Sequence, residues 1–206
     1  MSYHPPFEED IYAKGFPYKS IKDLPKKYQN IYNEKKMSLK ALGHLWYSDK
    51  ALGDFVKKAE KKYPNAIFAF TGDHFGRRFI NGTPTLYENS SVPFILYGKN
   101  IQHLSEKKST PGSHIDIAPT LLELVAPEKT QFTSFGNSLF NKNDVGIGYN
   151  KIITQNLLLE YSKNYGTKKQ ILTPKKTNLN EKALKQKHDS LMSLAWYYTI
   201  KGDSIK

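Results

Sequence analysis

An apolar run that ends in a carboxylate, an imidazole and two guanidinium groups is the most chemically suggestive feature of this sequence. The stretch FAFTGDHFGRRF places Asp73 and His74 directly after a short hydrophobic segment, with Arg77 and Arg78 close behind. A carboxylate oxygen and an imidazole nitrogen suit a divalent cation such as zinc or manganese. Two ligands do not complete a metal site, and the alternative is that Asp73 caps the turn beside an exposed His74.

The two arginines have a chemical interpretation of their own. Arg77 and Arg78 could hold a phosphate group through paired hydrogen bonds, a geometry that guanidinium groups favour. Arginine is scarce in this lysine-rich chain, so the adjacent pair is suggestive. A solvated loop explains the same residues equally well, and both interpretations stay open.

The segments around this stretch predict the elements that position it. A helix is expected from Met37 to Lys62, because apolar residues fall on one face with lysines opposite. The run AIFAFT before Gly72 and the later run VPFILYG are continuous and apolar, which is typical of strands covered on both faces. A further helix is expected in SHIDIAPTLLELVAP, where Ser113 or Asp116 can cap the start, and we take Asp116 as the cap.

This alternation of helix and strand predicts an α/β sheet with helices on its faces. Ligands of such sheets gather at the carboxyl ends of strands, where Asp73 and His74 lie. KIITQN and LLLEYS are expected to be strands, and a lysine-rich helix is expected from about Asn180. We infer one domain, composed of an irregular entry segment over 1–36, an α/β core over 37–127, and strands with a helix over 128–206.

Composition restricts the classes of partner. The chain has 206 residues, no cysteine and a formal net charge of +12. This charge favours anionic partners such as phospholipid head groups or cell-envelope polyanions, although a solvated lysine-rich surface explains it too. No nucleic acid is expected, because the lysines are not interleaved with stacking aromatics. The aromatic cluster Trp196–Tyr198 is expected in a core or docking surface rather than in a lipid-facing patch.

Several of these segments together resemble one protein family. In order and spacing, AIFAFTGDHFGRR, ENSSVPFILYGKNI and GSHIDIAPTLLELV resemble the second half of the sulfatase and lipoteichoic acid synthase-like group of the alkaline phosphatase superfamily. LGHLWYSDKALGDFVKKAEKK and SYHPPFEED are similar to segments that precede these motifs. The resemblance covers most of the chain and is specific as a set. It implies a partial alkaline phosphatase-like three-layer α/β/α sandwich with a C-terminal helix.

The resemblance also implies a chemistry. Asp73 and His74 correspond to ligands of one divalent metal, for which manganese is favoured while zinc, magnesium and calcium stay open. His4 corresponds to the family's substrate-binding histidine. Arg77 and Arg78 are further candidate substrate-binding residues on the strength of their residue types, independently of the resemblance. In that family the nucleophile, a threonine or a formylglycine, is activated by the metal, which also neutralises charge on the phosphate or sulfate oxygens.

The chain departs from the family pattern at its start. The family's nucleophile and first acidic ligand lie upstream of the histidine that corresponds to His4, and this chain begins three residues before it. We therefore expect a C-terminal half that lacks the nucleophile, shows no turnover alone and leaves a sheet edge for the missing half of the domain. The chain as given shows no signal peptide or membrane span and is expected to be soluble. For a full-length protein we expect the extracytoplasmic face of the membrane or the periplasm.

Two functions follow from these observations. The first is a fragment of a metal-dependent phosphotransferase or hydrolase acting on phosphate or sulfate esters, most like the lipoteichoic acid synthase-type phosphoglycerol transferases. Its substrate is expected to be an anionic phospholipid or cell-envelope polyanion. The alternative is a non-catalytic domain that keeps the fold and a basic surface for polyanions, and metal-dependent affinity would separate the two.

Overall fold

The computed structural model describes residues 9–29, 38–75, 83–104, 110–174 and 180–202. They fall into two compact units, Met1–Ser105 and Glu106–Lys206. The chain is an α/β protein, as the sequence predicts. The boundary near residue 105 differs from the proposed divisions at 36 and 127, which stay predictions. None of the helices built from these described residues has the length and apolarity needed to cross a bilayer.

The described residues of the first unit form two α-helices and one pair of strands. The elements are α1 (Lys26–Gln29), α2 (Ser38–Lys62), β1 (Phe68–Thr71) and β2 (Phe94–Tyr97), with 3-10 turns at Ile21–Asp23 and Lys99–Leu104. α2 confirms the helix predicted from the sequence. Its last turn carries Lys61 and Lys62, whose charges complement the carboxyl end of a helix, and it ends before Pro64.

The described part of the entry segment packs against α2. Ile11 and Phe16 are buried, and the Phe16 ring lies 5.7 Å from the Trp46 ring on the helix. A Cβ atom at Gly43 would lie only 2.1 Å from the Ile11 side chain, so the glycine permits this close approach. The irregular segment therefore contributes to the core of the first unit.

The strands β1 and β2 are antiparallel, with Phe68 opposite Tyr97 and Thr71 opposite Phe94. The expectation that both faces are covered is wrong, because no residue of either strand is buried and Ile95 remains 53% exposed. Burial of both faces requires covering elements on each side. Within the described ranges this sheet has only two strands.

The second unit contains an antiparallel sheet and two helices. Its elements are a 3-10 turn (His114–Asp116), α3 (Ile117–Val125), β3 (Gly146–Ile147), β4 (Lys151–Ile153), β5 (Leu157–Ser162), β6 (Gly166–Ile171) and α4 (Glu181–Lys201). The sheet order is β3-β4-β5-β6. α3, β4, β5 and α4 confirm the predicted elements, whereas β3 and β6 lie in segments that the sequence reading left as loop or connector.

The core of the second unit forms where the sheet meets α4. Ile152, Leu157 and Leu159 are buried together with Leu184 of the helix. α4 begins next to Asn180, where the sequence places the start of the helix, and the Asn180 side chain accepts hydrogen bonds from two backbone N–H groups of the first turn. Full burial of a leucine side chain stabilises a fold by about 2 kcal/mol, so this small cluster is what fixes the helix on the sheet.

A hydrogen bond through His188 also joins α4 to the sheet. Its Nε2 donates to the carbonyl oxygen of Tyr149 at 2.9 Å, and its ring lies 5.6 Å from the Tyr161 ring. Its Nδ1 lies 3.1 Å from a carboxylate oxygen of Asp189. The two ring nitrogens thus link α4 to the turn between β3 and β4 and to the neighbouring carboxylate of the same helix.

The buried carboxylate of Asp116 organises the start of α3. It accepts hydrogen bonds from the backbone N–H groups of Ser113 at 2.7 Å and Asn137 at 2.8 Å. The expectation that Asp116 caps α3 is therefore corrected, because it closes the preceding 3-10 turn and makes no cap hydrogen bond to α3. Thr120 adds a parallel link, since its hydroxyl accepts from the N–H of Leu139 at 2.9 Å.

Candidate metal centre at the end of β1

β1 places Asp73 and His74 together at its carboxyl end, as the sequence predicts. The chain leaves the strand through Gly72, where an added Cβ would lie 3.3 Å from a methyl carbon of Val92. The turn is therefore packed closely against the segment that leads into β2. Asp73 Oδ1 then accepts a hydrogen bond from the N–H of His74 at 2.9 Å, which holds the two side chains on the same side of the turn.

The tautomer of His74 follows from its backbone contact. Its Nδ1 lies 2.6 Å from the carbonyl oxygen of Phe75. A carbonyl oxygen can only accept, so Nδ1 carries the proton and donates. The lone pair on Nε2 is then available to a ligand, and Nε2 lies 3.5 Å from Oδ2 of Asp73.

This geometry fits two ligands of a single cation. Two ligands at about 2.1 Å from one metal with a tetrahedral angle between them are about 3.4 Å apart. The observed separation of 3.5 Å between His74 Nε2 and Asp73 Oδ2 matches this value. Histidine ligands usually donate their other ring N–H to a carbonyl or carboxylate, and the Phe75 carbonyl takes that place here.

Exposure leaves the pair open to an ion and to further ligands. The side chain of Asp73 is 88% exposed and that of His74 is 54% exposed. No third histidine, cysteine, aspartate or glutamate joins them in the part of the chain that the structure describes. The other candidate site residues, His4, Arg77 and Arg78, lie outside the described residues.

Glu88 is a carboxylate in the loop between β1 and β2 that the sequence reading did not single out. Its Oε2 accepts hydrogen bonds from the N–H and the hydroxyl of Thr85, both at 2.8 Å. The backbone N–H of Thr85 is the main cause that lowers the pKa of Glu88 below its usual value, and the hydroxyl adds to it. Glu88 is therefore a turn-forming residue, and the T-x-x-E spacing is the sequence signal that could have identified it.

The chain is an α/β protein with an Asp-His pair directly after a strand, at the end of the strand where ligands of α/β sheets bind. The chain belongs to the sulfatase family, whose family model matches residues 1–126. The mixed helix and strand content is that of a partial sulfatase or alkaline phosphatase-like fold.

Two curated relatives of Bacillus subtilis (strain 168) are similar to this chain. Lipoteichoic acid synthase-like YvgJ is 32% identical over 111 residues, covering 46% of this chain and 18% of the relative. Lipoteichoic acid synthase 1 is 30% identical over 115 residues, covering 47% of this chain and 17% of the relative. The chain thus spans less than a fifth of the length of these relatives. No solved structure gives a significant match.

Proposed function

We propose that this chain supplies two metal ligands of a phosphotransferase or hydrolase that acts on phosphate or sulfate esters. The observation that carries the proposal is the geometry of Asp73 and His74, whose oxygen and nitrogen are separated by the distance that one cation requires. The membership of the sulfatase family supports this class of chemistry. The similarity to two lipoteichoic acid synthase-type relatives favours phosphoglycerol transfer over sulfate hydrolysis.

Each candidate residue has a role in this proposal. Asp73 and His74 hold one divalent cation, Mn²⁺ by preference, with the Nδ1 proton of His74 fixed on the Phe75 carbonyl. A bound cation would supply charge neutralisation at the phosphate oxygens and lower the pKa of an attacking hydroxyl. His4 contacts the anionic group or protonates the leaving oxygen, and the Arg77–Arg78 pair binds the same anion.

The remaining parts of such a site come, on this proposal, from outside the described residues. The chain matches less than a fifth of either relative, which leaves room in a longer protein for a nucleophile and an acidic ligand. The substrate is an anionic phospholipid or another cell-envelope polyanion, and the whole protein works on the extracytoplasmic side of the membrane. Without those parts we expect no turnover by this chain.

Metal binding tests the proposal without requiring turnover. The free Mn²⁺ signal in electron paramagnetic resonance, titrated with the 206-residue chain, gives the affinity. We expect Asp73→Asn and His74→Gln each to weaken binding by about tenfold or more, because each removes one of two ligands. Asp54→Asn is the matched control, since Asp54 is an exposed helical carboxylate paired with Lys50.

Three experimental results would contradict the proposal or a part of it. Mn²⁺ affinity that is the same in Asp73→Asn, His74→Gln and the unaltered chain would sink the proposal. Binding of teichoic acid that survives both chelation and Asp73→Asn would favour the non-catalytic polyanion-binding domain. A metal-dependent phosphodiesterase rate of this chain, lost in Asp73→Ala, would contradict the proposal that further parts of the site come from outside it.

A further inference from the structure

The end of α4 carries an apolar cluster that its own unit leaves exposed. Trp196 is 68% exposed, Tyr197 is 49% exposed and Ile200 is 60% exposed. At about 100° per residue, these three positions fall within an arc of about 100° on the helix. The opposite face holds the buried residues Leu184 and His188, so the cluster points away from the sheet.

Only part of the aromatic segment is core. The Tyr198 ring packs against the Phe135 ring at 5.6 Å and is half-buried, which fits the expectation of a core residue. Trp196 and Tyr197 are not core residues, because about half or more of each side chain faces solvent, which leaves a docking surface as the expectation for them. Tryptophan and tyrosine have an apolar ring with a polar group, which suits them to a boundary between water and an apolar phase.

The charge on α4 favours one kind of partner for this cluster. By the same helical periodicity Lys182 and Asp189 share the exposed face, and Lys185 and Lys201 border it. The acidic groups of the helix are both paired: Glu181 with Lys169 of β6, and Asp189 with Lys185 of the helix itself. The helix therefore has an excess of positive charge, in a chain whose formal net charge is +12.

We propose that α4 docks on an anionic lipid surface through this face. The helix lies in the plane of the surface, with Trp196, Tyr197 and Ile200 in the head-group region and the lysines against anionic head groups. A second copy of the chain or another protein segment could also cover an apolar cluster. A second copy would bring like charges against Lys182 and Lys201, and an uncharged protein segment would gain nothing from them, whereas anionic head groups complement them. The inference does not depend on the metal centre.

Vesicle binding by the 206-residue chain tests the proposal. We expect the chain to cosediment with vesicles of phosphatidylglycerol and phosphatidylcholine and to release at high salt, with little binding to phosphatidylcholine alone. Trp196→Ser combined with Ile200→Ser should weaken binding to the anionic vesicles by about tenfold, because serine side chains have little apolar surface to bury in the head-group region. Tyr165→Ser is the matched control, because Tyr165 is 82% exposed in a strand turn of the same unit.

A direct reporter complements the cosedimentation. In a Trp46→Phe background Trp196 is the remaining tryptophan, and its emission should shift to shorter wavelength on anionic vesicles only. Equal vesicle binding by the double variant and the unaltered chain would overturn the proposal. So would a concentration-dependent dimer in sedimentation velocity that the double variant abolishes, because the occupant would then be a second copy. Circular dichroism of each variant checks that the fold is retained.

Discussion

The buried carboxylate of Asp116 and the backbone N–H of Asn137 are joined by a hydrogen bond of 2.8 Å, although 21 residues separate them in the sequence. This bond, with the second one to the N–H of Ser113, ties the start of α3 to the loop before β3. The DIAPT motif thus anchors a loop in addition to starting a helix. Backbone groups buried in a loop need such a partner, because leaving them unpaired costs about 1–3 kcal/mol each.

Asp116→Ala should lower the free energy of unfolding by about 2 kcal/mol, because two part-buried N–H groups lose their acceptor. Urea unfolding followed by circular dichroism measures it. Thr120→Val should cost about 1–2 kcal/mol through the lost bond to the N–H of Leu139. Asp54→Ala, at an exposed site, should change stability by less than about 0.5 kcal/mol. An unchanged midpoint for Asp116→Ala would contradict the anchoring role.

Two glycine-to-alanine substitutions should have opposite effects on stability. A Cβ at Gly136 would lie 2.0 Å from the backbone oxygen of Ile115, so Gly136→Ala forces the backbone apart and should cost more than about 2 kcal/mol. Gly53 lies in α2 with nothing within 4 Å of the added carbon, so Gly53→Ala should stabilise by about 1 kcal/mol. Thermal unfolding compares them, and effects of the same sign would count against the packing described.

The carboxylate of Asp189 should make stability depend on pH at the acid end. The hydrogen bond from Lys185, followed by that from His188, lowers the pKa of Asp189 below its ordinary value of 3.8. A lowered folded-state pKa means that the stabilisation is present above pH 3.8 and is lost as the pH falls through the folded-state value. Asp189→Asn should therefore flatten the loss of stability below about pH 4. Urea midpoints between pH 3 and 7 check this, and identical slopes for variant and parent would refute it.

The close contact between Gly72 and Val92, next to Asp73 and His74, should also affect the proposed metal binding. Gly72→Ala places a carbon 3.3 Å from a Val92 methyl group, so the turn that carries Asp73 and His74 must shift. We expect Mn²⁺ affinity to fall by about tenfold while the fold is kept. Adding Val92→Ala removes that methyl group and should restore most of the affinity. Failure of this second substitution to rescue binding would show that the close contact at Gly72 does not set the ligand geometry.

Local patterns were sufficient to predict the long elements. The helix α2, the strands β1 and β2 and the start of α4 near Asn180 are all confirmed, because each depends on residues close together in the sequence. The polar strand β6 was missed, since its sequence GTKKQI has no apolar alternation. It forms because it pairs along the whole of β5, a contact that no local pattern reports.

For the candidate site, the sequence by itself determined that a carboxylate and an imidazole meet where a strand ends, because adjacency in the chain guarantees it. Only the structure shows that His74 Nε2 and Asp73 Oδ2 are 3.5 Å apart and that His74 Nδ1 faces the carbonyl oxygen of Phe75. Only the structure also shows that Gly72 packs closely against Val92. Only the tertiary structure, likewise, turned Asp116 toward Asn137 and left Trp196 in solvent. Partners distant in sequence meet through the folding of the whole chain, so neither spacing nor composition specifies them.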